Sequence, residues 1–175
     1  MRAEITDEGL VRSAQGGSKE AAGELFDRHW RTVWRASFAI SRSHEVAEDC
    51  AQDAFVRAFG GLDGYRGGSF RAWVSQIAVN LTLNYLRKNA RVGVLGDDTS
   101  DPTAEMRVPD IALEQAVASL PLERRTIIVL RYWLGYSPAE IAPMLDLPIG
   151  TVHSRISRAL GQLRERLEVE DVERA

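Results

Sequence analysis

The chain has 175 residues, of which 45% are hydrophobic, and its 22 Lys and Arg against 25 Asp and Glu give a formal net charge of -3. This composition predicts a folded protein with a packed core, and the absence of any run of about 18 apolar residues excludes a membrane span. The opening MRAEITDEGL lacks the basic-then-apolar layout of a signal peptide, so export is not expected. The single cysteine, Cys50, cannot form an internal disulfide, which favours the reducing cytoplasm.

The charges are segregated along the chain. Residues 1–91 carry 13 basic and 11 acidic residues, a net of +2, and residues 116–167 carry 7 and 4, a net of +3. Residues 92–115 carry 1 and 6, a net of -5, and the tail 168–175 carries 1 and 4, a net of -3. The acidic joining segment has Gly, Pro, Asp and Ser but no helical apolar period, so we predict a flexible linker over 92–110.

The blocks on either side of this linker predict an all-α fold. Alternating runs of Val, Ile and Thr are absent, so no strand is predicted. We expect two small helical domains, at 1–91 and 111–170, of which the second is a four-helix domain that ends in a helix-turn-helix. The predicted helices lie near 6–15, from Ser18 through Ile40, and near 45–59, 69–89, 110–119, 121–134, 138–146 and 149–167.

The predicted third helix has a buried side of small apolar residues and an acidic outer side. That outer side, which we call the acidic stripe, comprises Glu45, Asp49, Gln52, Asp53 and Val56. It is either a solvated face or a docking surface for a basic partner helix. It is not expected to touch DNA, because carboxylates and phosphates repel each other.

The glycine-rich loop GGLDGYRGGS and the helix after it combine rings, amides and guanidiniums. One flank of the helix, which we call the α4 track, carries Trp73, Asn80, Asn84, Arg87 and Arg91. Asn can pair with base edges, guanidiniums hold phosphates, and Trp73 or the loop residues Tyr65 and Arg66 can contact an unpaired, extruded base. Alternatively, Trp73 is simply a core residue. The inner face is predicted to hold Val74, Ile77, Ala78, Leu81 and Tyr85.

The second block contains a capped helix followed by a short turn. Ser137 and Glu140 form a capping box, with Pro138 at the first helical position. Pro143 falls inside the same helix, where proline costs about 3 kcal/mol or bends the helix, so we expect a kink or a very short helix.

The last predicted helix has an apolar face and a face of small residues. The apolar face is expected to be buried and comprises Ile149, Val152, Ile156, Leu160, Leu163 and Leu167. The opposite face comprises Gly150, Ser154, Ser157, Arg158 and Gly161, with Thr151, His153 and Arg155 on the flanks. Small residues let a backbone approach a DNA groove while Arg reaches a guanine edge, and each good bidentate pair contributes about 1–3 kcal/mol. The alternative is a solvated amphipathic helix.

Four stretches of the sequence resemble a known family. They are ELFDRHWRTVWR, EVAEDCAQDAFVRAF, YRGGSFRAWVSQIAVNLTLNYLRKNAR and LPLERRTIIVLRYWLGYSPAEIAPMLDLPIGTVHSRISRAL, and they cover most of residues 24–160. In this order and at this spacing they resemble the extracytoplasmic-function (ECF) sigma factors of bacterial RNA polymerase, the small two-domain members of the sigma-70 family. The resemblance implies a factor that binds core RNA polymerase, directs it to promoters and promotes DNA melting.

The resemblance also assigns a role to each surface. The acidic stripe would dock on the clamp of the polymerase beta-prime subunit, and the beta flap would be a second contact. Tyr65 and Asn80 would handle a flipped base of the minus-ten element, and the other residues near it would be Arg66, Trp73, Asn84, Arg87 and Arg91. The minus-thirty-five element would be met by Thr151, His153, Ser154, Arg155, Ser157 and Arg158. Two of these depart from the family, since His153 stands where Arg or Lys is frequent and Ser157 replaces a bulkier contact.

The resemblance further implies an anti-sigma factor, which can hold the protein inactive near the membrane, and a monomer when both polymerase and anti-sigma factor are absent. The acidic linker is hypothesised to lie in a basic polymerase channel as a mimic of RNA or template. No enzyme activity, metal or cofactor is expected, because His29, His44 and His153 are scattered and no Cys/His cluster has metal spacing. A stand-alone helix-turn-helix regulator and a polymerase-holding interaction protein are the alternatives.

Overall fold

The computed structural model describes residues 5–92 and 111–173. The chain divides into two compact units, 1–98 and 99–175. The helices of the described residues are α1 (Asp7–Gln15), α2 (Lys19–Ser41), α3 (His44–Gly60), α4 (Phe70–Val92), α5 (Ile111–Ser119), α6 (Leu122–Ile128), α7 (Pro138–Leu145) and α8 (Ile149–Glu173). The all-α prediction is therefore confirmed over these residues. The predicted linker, apart from Val92 at the end of α4, lies outside them.

The first unit is a bundle in which α2, α3 and α4 pack against one another and α1 packs on α2. Serine hydroxyls cap the helix starts, since Ser18 Oγ accepts from Ala21 N at 3.2 Å and Ser43 Oγ accepts from Val46 N at 3.4 Å. The inner face of α2 is fully buried at Leu25, Val33 and Ile40. On α3 the buried side consists mainly of alanines, which let the neighbouring helices approach closely.

The buried side of α4 differs from the predicted one. Tyr85 was expected to face inward, but 45% of its surface is exposed. Val74 and Ala78 are fully buried as predicted, but the helix also buries Val79, Leu83 and Leu86, which lie outside the predicted face. The cause is the packing of α4 against both α2 and α3, which buries a wider arc than one apolar stripe.

In the second unit α8 packs against α5, α6 and α7. The core between these helices includes Ala116, Val117, Leu120 and Ile128, together with Ala159 and Leu163 of α8 itself. Helix α8 continues to Glu173, beyond the predicted end at 167, because no proline or glycine interrupts the residues after Leu167.

The buried face of α8 is also shifted from the predicted one. Ile149 and Leu160 were expected inside, but they are 49% and 39% exposed. Val152 and Ala159 are fully buried and Leu163 is nearly so. The small side chain of Ala159 lets α8 lie close to its neighbours, so this position is turned inward and the adjacent Leu160 is turned toward solvent.

The helix predicted over 121–134 has two parts. Helix α6 ends at Ile128 and passes into a π-helical turn, Val129–Trp133, in which Leu134 N donates to Val129 O at 3.1 Å. Gly135, with φ of 79°, then reverses the chain toward α7, a conformation that favours glycine. Among all described helices, none is long and apolar enough to cross a membrane.

Two buried hydroxyls provide a test of the first unit's packing. Within the described part of the chain, Ser37 Oγ and Ser75 Oγ are buried without a hydrogen-bond partner, whereas the buried Thr82 Oγ1 donates to Ala78 O at 2.9 Å. An unpaired buried hydroxyl loses its hydration without compensation. We expect Ser37→Ala and Ser75→Ala to leave the free energy of unfolding unchanged or raise it by up to about 1 kcal/mol, and Thr82→Val to lower it by about 1 kcal/mol. Urea denaturation followed by circular dichroism measures the free energy of unfolding of all three variants. A clear loss of stability in either serine variant would show that its hydroxyl makes a stabilising hydrogen bond and would contradict this expectation.

Candidate nucleic-acid and partner interfaces

The acidic stripe forms one exposed surface along α3. Glu45, Asp49, Gln52 and Asp53 are all exposed, and Val56 at the end of the stripe is 70% exposed. The opposite side of α3 is held in the core by its alanines and by Phe55, which fixes the outward direction of the stripe. The structure therefore brings the five predicted residues together on a surface that carries acids and one apolar side chain.

The glycine-rich loop, residues 60–69, folds back on itself ahead of α4. It begins with a 3-10 turn, Leu62–Gly64, and continues through Gly67 and Gly68, whose φ angles are 102° and 95°. The hydroxyl of Tyr65 donates to Gly68 O at 2.6 Å across this reversal. The left-handed backbone at the two glycines is what allows so tight a closure. The donor of Tyr65 is thus occupied, and its ring is the part that remains for a ligand.

Three rings meet at the start of α4. The ring centroid of Tyr65 lies 5.0 Å from that of Trp73, and the buried Phe70 lies 6.2 Å from Tyr65 and 5.9 Å from Trp73. Burial raises the pKa of Tyr65, and the carboxylates of Glu8 and Asp7 add to the rise, so the phenol stays neutral at physiological pH. Trp73 is half-buried, packs on the core and flanks Tyr65, so its position is compatible with either predicted role.

The α4 track lies on the solvent side of the helix. Asn80, Asn84 and Arg87 are exposed, and the helical period places them on the same side as Trp73. Arg91 continues the helix backbone, but its side chain is outside the described residues. Arg66 is exposed in the loop and donates to Asp63 O at 3.1 Å. Exposed amides and a cation therefore follow the ring pair along one side of α4, a combination compatible with a single-stranded nucleic-acid site.

In the second unit, α7 and α8 form the predicted helix pair. The capping box is present, since Ser137 Oγ accepts from Glu140 N at 3.3 Å and the Glu140 carboxylate accepts from Ser137 N at 2.8 Å. Helix α7 has 8 residues with Pro143 inside, so of the two expected outcomes, a kink or a very short helix, the structure has the short helix. It ends at Asp146 in the left-handed conformation, with φ of 54°, and Leu147 N donates to Ala142 O at 2.9 Å.

The solvent face of α8 carries the small residues. Gly150, Ser154, Ser157 and Arg158 are exposed on it, and His153 is exposed on one flank. Ser154 Oγ donates to Thr151 O at 3.0 Å, which leaves its oxygen free to accept a hydrogen bond. This face lies opposite Val152 and Ala159, so a DNA groove can approach the α8 backbone closely.

Comparison with known proteins places the chain in a family. Residues 25–92 match Sigma-70 region 2 and residues 110–163 match Sigma-70, region 4. The ECF RNA polymerase sigma factor SigM of Mycobacterium tuberculosis is 35% identical over 171 residues, which cover 95% of this chain and 87% of SigM. The chain belongs to the ECF RNA polymerase sigma factors. It is a transcription initiation factor that binds core RNA polymerase and directs it to promoters.

Two further matches agree with this assignment. SigE of Mycolicibacterium smegmatis is 35% identical over 155 residues, which cover 82% of this sigma factor and 60% of SigE. The solved structure of the sigma factor RpoE of Bartonella quintana, in complex with the anti-sigma factor NepR, aligns with a TM-score of 0.70 and 27% identity. That alignment covers 84% of this chain and 96% of RpoE. The family favours the sigma factor over the stand-alone regulator and the interaction protein.

Arg155 lies differently from Arg158 on α8 of the sigma factor. Its guanidinium pairs with the Glu123 carboxylate at the start of α6 at 2.8 Å, and only 24% of its side chain is exposed. Sequence reasoning did not find Glu123, which is visible there only as an acid in the first turn of a helix. Arg155 is therefore held beside α6, whereas Arg158 is exposed on the solvent face of α8.

The histidines of the sigma factor lie apart. His29 is buried and its Nε2 lies 2.7 Å from Asp7 Oδ2, while His44 and His153 are exposed. Over the residues that the structure describes, no group of three or more His, Cys, Asp or Glu could hold a metal ion. Cys50 is buried on the inner side of α3, and burial raises the pKa of its thiol, which disfavours a reactive thiolate.

The capping box predicts a pH-dependent stability of α7. Hydrogen bonds from Ser137 lower the pKa of Glu140 below its ordinary value. A lowered folded-state pKa stabilises the helix above the ordinary glutamate pKa, and this contribution disappears as the pH falls through the folded-state pKa. We therefore expect Glu140→Gln to weaken amide protection over 138–147 at neutral pH and to match the wild type in acid. Hydrogen exchange of the full chain, with the exposed Glu165→Gln as control, measures this difference, and equal protection at neutral pH would contradict it.

Proposed function

We propose that this sigma factor divides promoter recognition between its two domains. The first domain, residues 1–91, holds core polymerase through the acidic stripe and captures an unpaired minus-ten base with the glycine-rich loop and the α4 track. The second domain, residues 111–170, contacts the duplex minus-thirty-five element with α8. The observation that carries the proposal is that one chain exposes two DNA-compatible surfaces and, separately from them, a stripe on α3 that includes three exposed acids.

The polymerase contact is proposed from charge and exposure together. The five outward side chains of the acidic stripe comprise three carboxylates, one amide and the exposed Val56. This combination suits a basic amphipathic helix such as those of the beta-prime clamp.

A second polymerase contact is proposed in the second domain. Tyr132 and Trp133 are 57% and 41% exposed at the π-helical turn. We assign the beta flap contact to these rings, because large exposed rings favour a protein partner over phosphates.

The minus-ten contact is proposed from the rings and the α4 track. Tyr65 and Trp73 provide half-buried aromatic faces on which a base can stack, and Asn80 and Asn84 provide amides for its edge. Arg66, Arg87 and Arg91 would neutralise the adjoining phosphates. Trapping an extruded base lowers the free energy of the melted promoter and so promotes strand opening.

The minus-thirty-five contact is proposed from the solvent face of α8. Arg158 is the base-reading side chain, while Thr151, His153, Ser154 and Ser157 lie close enough to meet bases or phosphates. Arg155, held by Glu123, serves as a backbone contact beside α6. A net charge of -3 is compatible with this function, because polymerase supplies much of the attraction to DNA.

Regulation by an anti-sigma factor is also part of the proposal. The structural neighbour RpoE was solved with its anti-sigma factor NepR, and the similarity extends over 84% of this chain. An inhibitor that covers the acidic stripe or α8 would block the polymerase or the promoter contact. We propose that the free protein is a monomer which such a partner keeps inactive.

The acidic stripe predicts sensitivity to charge reversal. Asp49→Lys combined with Asp53→Lys should weaken binding to purified core polymerase at least tenfold at physiological salt, because two attractive contacts become repulsive. Fluorescence anisotropy of the labelled full chain measures this affinity. Asp27→Lys, an exposed acid on α2, is the matched control and should change it less than twofold. If the double variant and the Asp27→Lys control weakened polymerase binding equally, the acidic stripe would be only a solvated face.

In vitro transcription tests the whole proposal. Purified core polymerase with the full chain should transcribe a specific subset of a promoter-fragment pool, and neither component should do so alone. Arg158→Ala should lower transcription about tenfold from promoters with the preferred minus-thirty-five sequence, and should have no effect when that sequence is scrambled. The exposed Arg166→Ala on the same helix is the control. Tight, specific duplex binding without polymerase would instead support a stand-alone regulator.

A further inference from the structure

Helix α1 belongs to the first unit but precedes the residues that match Sigma-70 region 2. The match covers 25–92, whereas α1 spans Asp7–Gln15. Leu10 and Val11 are only 3% and 4% exposed and lie in the same core cluster as Leu62 and Phe70. The first turn of α1 is capped by Thr6, whose Oγ1 accepts from Gly9 N at 3.3 Å. The helix is therefore an integral layer of the unit and lies against the loop that precedes α4.

A polar contact from α1 reaches the rings of the proposed minus-ten site. Asp7 Oδ2 lies 2.7 Å from His29 Nε2, and Asp7 Oδ1 accepts from Arg28 Nη1 at 3.3 Å. The His29 ring is nearly buried and lies 5.7 Å from the ring of Phe70. Phe70 is 1% exposed and contacts both Tyr65 and Trp73. Asp7 thus holds the imidazole that supports the buried ring beneath the Tyr65 and Trp73 pair.

A second contact reaches the loop backbone. Gln15 Nε2 donates to Leu62 O at 3.0 Å, and the same carbonyl accepts from Tyr65 N at 3.0 Å. Gln15 is the last residue of α1, so it ties that helix end to the 3-10 turn from which Tyr65 emerges. The two ends of α1 therefore hold the two sides of the Tyr65 environment, the buried ring below it and the turn before it.

We propose that α1 is a functional part of the minus-ten site, in which Asp7 and Gln15 are positioning residues that hold Tyr65 and Trp73 ready for an unpaired base. This inference rests on the proposed function of the ring pair. A site whose supporting contacts are already formed loses less conformational freedom when it binds, and it therefore binds more tightly. The carboxylates of Asp7 and Glu8 also raise the pKa of Tyr65, which agrees with their closeness to that ring.

The test uses holoenzyme assembled from core polymerase and the full chain. The probe is a single-stranded oligonucleotide that carries the minus-ten strand of the strongest promoter in the transcription pool, with 2-aminopurine at successive positions. Asp7→Asn removes the carboxylate charge at position 7, and Gln15→Glu replaces the amide donor with a carboxylate. The double variant therefore loses both contacts with little change in shape and no change in net charge. We expect this variant to bind the probe about tenfold more weakly and to lose the fluorescence change of the extruded position.

Matched variants separate positioning from stability. Gln15→Lys keeps a donor of similar reach and should bind the probe as the wild type does, while Gln15→Glu alone should bind about threefold more weakly. Because Gln15 is exposed at a helix end, this single change can be measured even where the double variant unfolds. Arg12→Gln, on an exposed position of α1, should have no effect. Affinities for core polymerase and for a minus-thirty-five duplex should remain within twofold for the single variants.

The outcomes distinguish this inference from the proposed function. If Tyr65→Ala and Trp73→Ala weaken probe binding but the α1 variants do not, the inference is overturned and the minus-ten site stands. If the α1 variants weaken polymerase and duplex binding in step with probe binding, α1 supports only the fold, which also overturns the inference. If Tyr65→Ala and Trp73→Ala leave probe binding intact, the proposed minus-ten site itself fails.

Discussion

Fully buried alanines lie where the helices pack together in both units, and the rest of the structure depends on that packing. On α3, Ala47, Ala51, Ala54 and Ala58 are all fully buried, and in the second unit Ala116 and Ala159 are as well. A methyl side chain brings two helix backbones near each other and leaves little rotational freedom for either helix. The orientation of each helix then decides which polar side chains reach solvent. The positions of the acidic stripe and of the solvent face of α8 follow from this orientation.

The exposed surfaces of the first unit differ in charge. The first unit carries both an acidic stripe and the α4 track, and these lie on different helices, so carboxylates need not face phosphates. Where an acid does lie beside a cation of a DNA-binding surface, it is paired, as Glu123 is with Arg155. A chain with a net charge of -3 can therefore serve as a DNA-binding subunit, provided that its larger partner supplies attraction to the polyanion.

In the first unit, the aromatic rings show that the two alternative interpretations of Trp73 are compatible with each other. Trp73 was open to interpretation either as core or as a nucleic-acid contact, and its half-buried position between Phe70 and Tyr65 allows both roles. The ring contacts continue from Phe70 to Phe59 and from Phe59 to Phe55 on α3. A continuous aromatic core thus supports the proposed base-stacking surface at its edge, where the loop glycines let the backbone turn sharply.

Local features of the sequence determined the helices, the capping box, the short α7 and the acidic stripe, because each depends on residues a few positions apart. The order and spacing of four stretches over residues 24–160 indicated the family. The tertiary structure alone decided the outward turn of Leu160 and Tyr85, since apolar periodicity ignores how closely an alanine such as Ala159 can pack. It alone also revealed the pairs Arg155 with Glu123 and His29 with Asp7, and the contact of Gln15 with the loop. These partners are distant in sequence, and only the packing of different helices brings their charges and hydrogen-bonding groups within reach of each other.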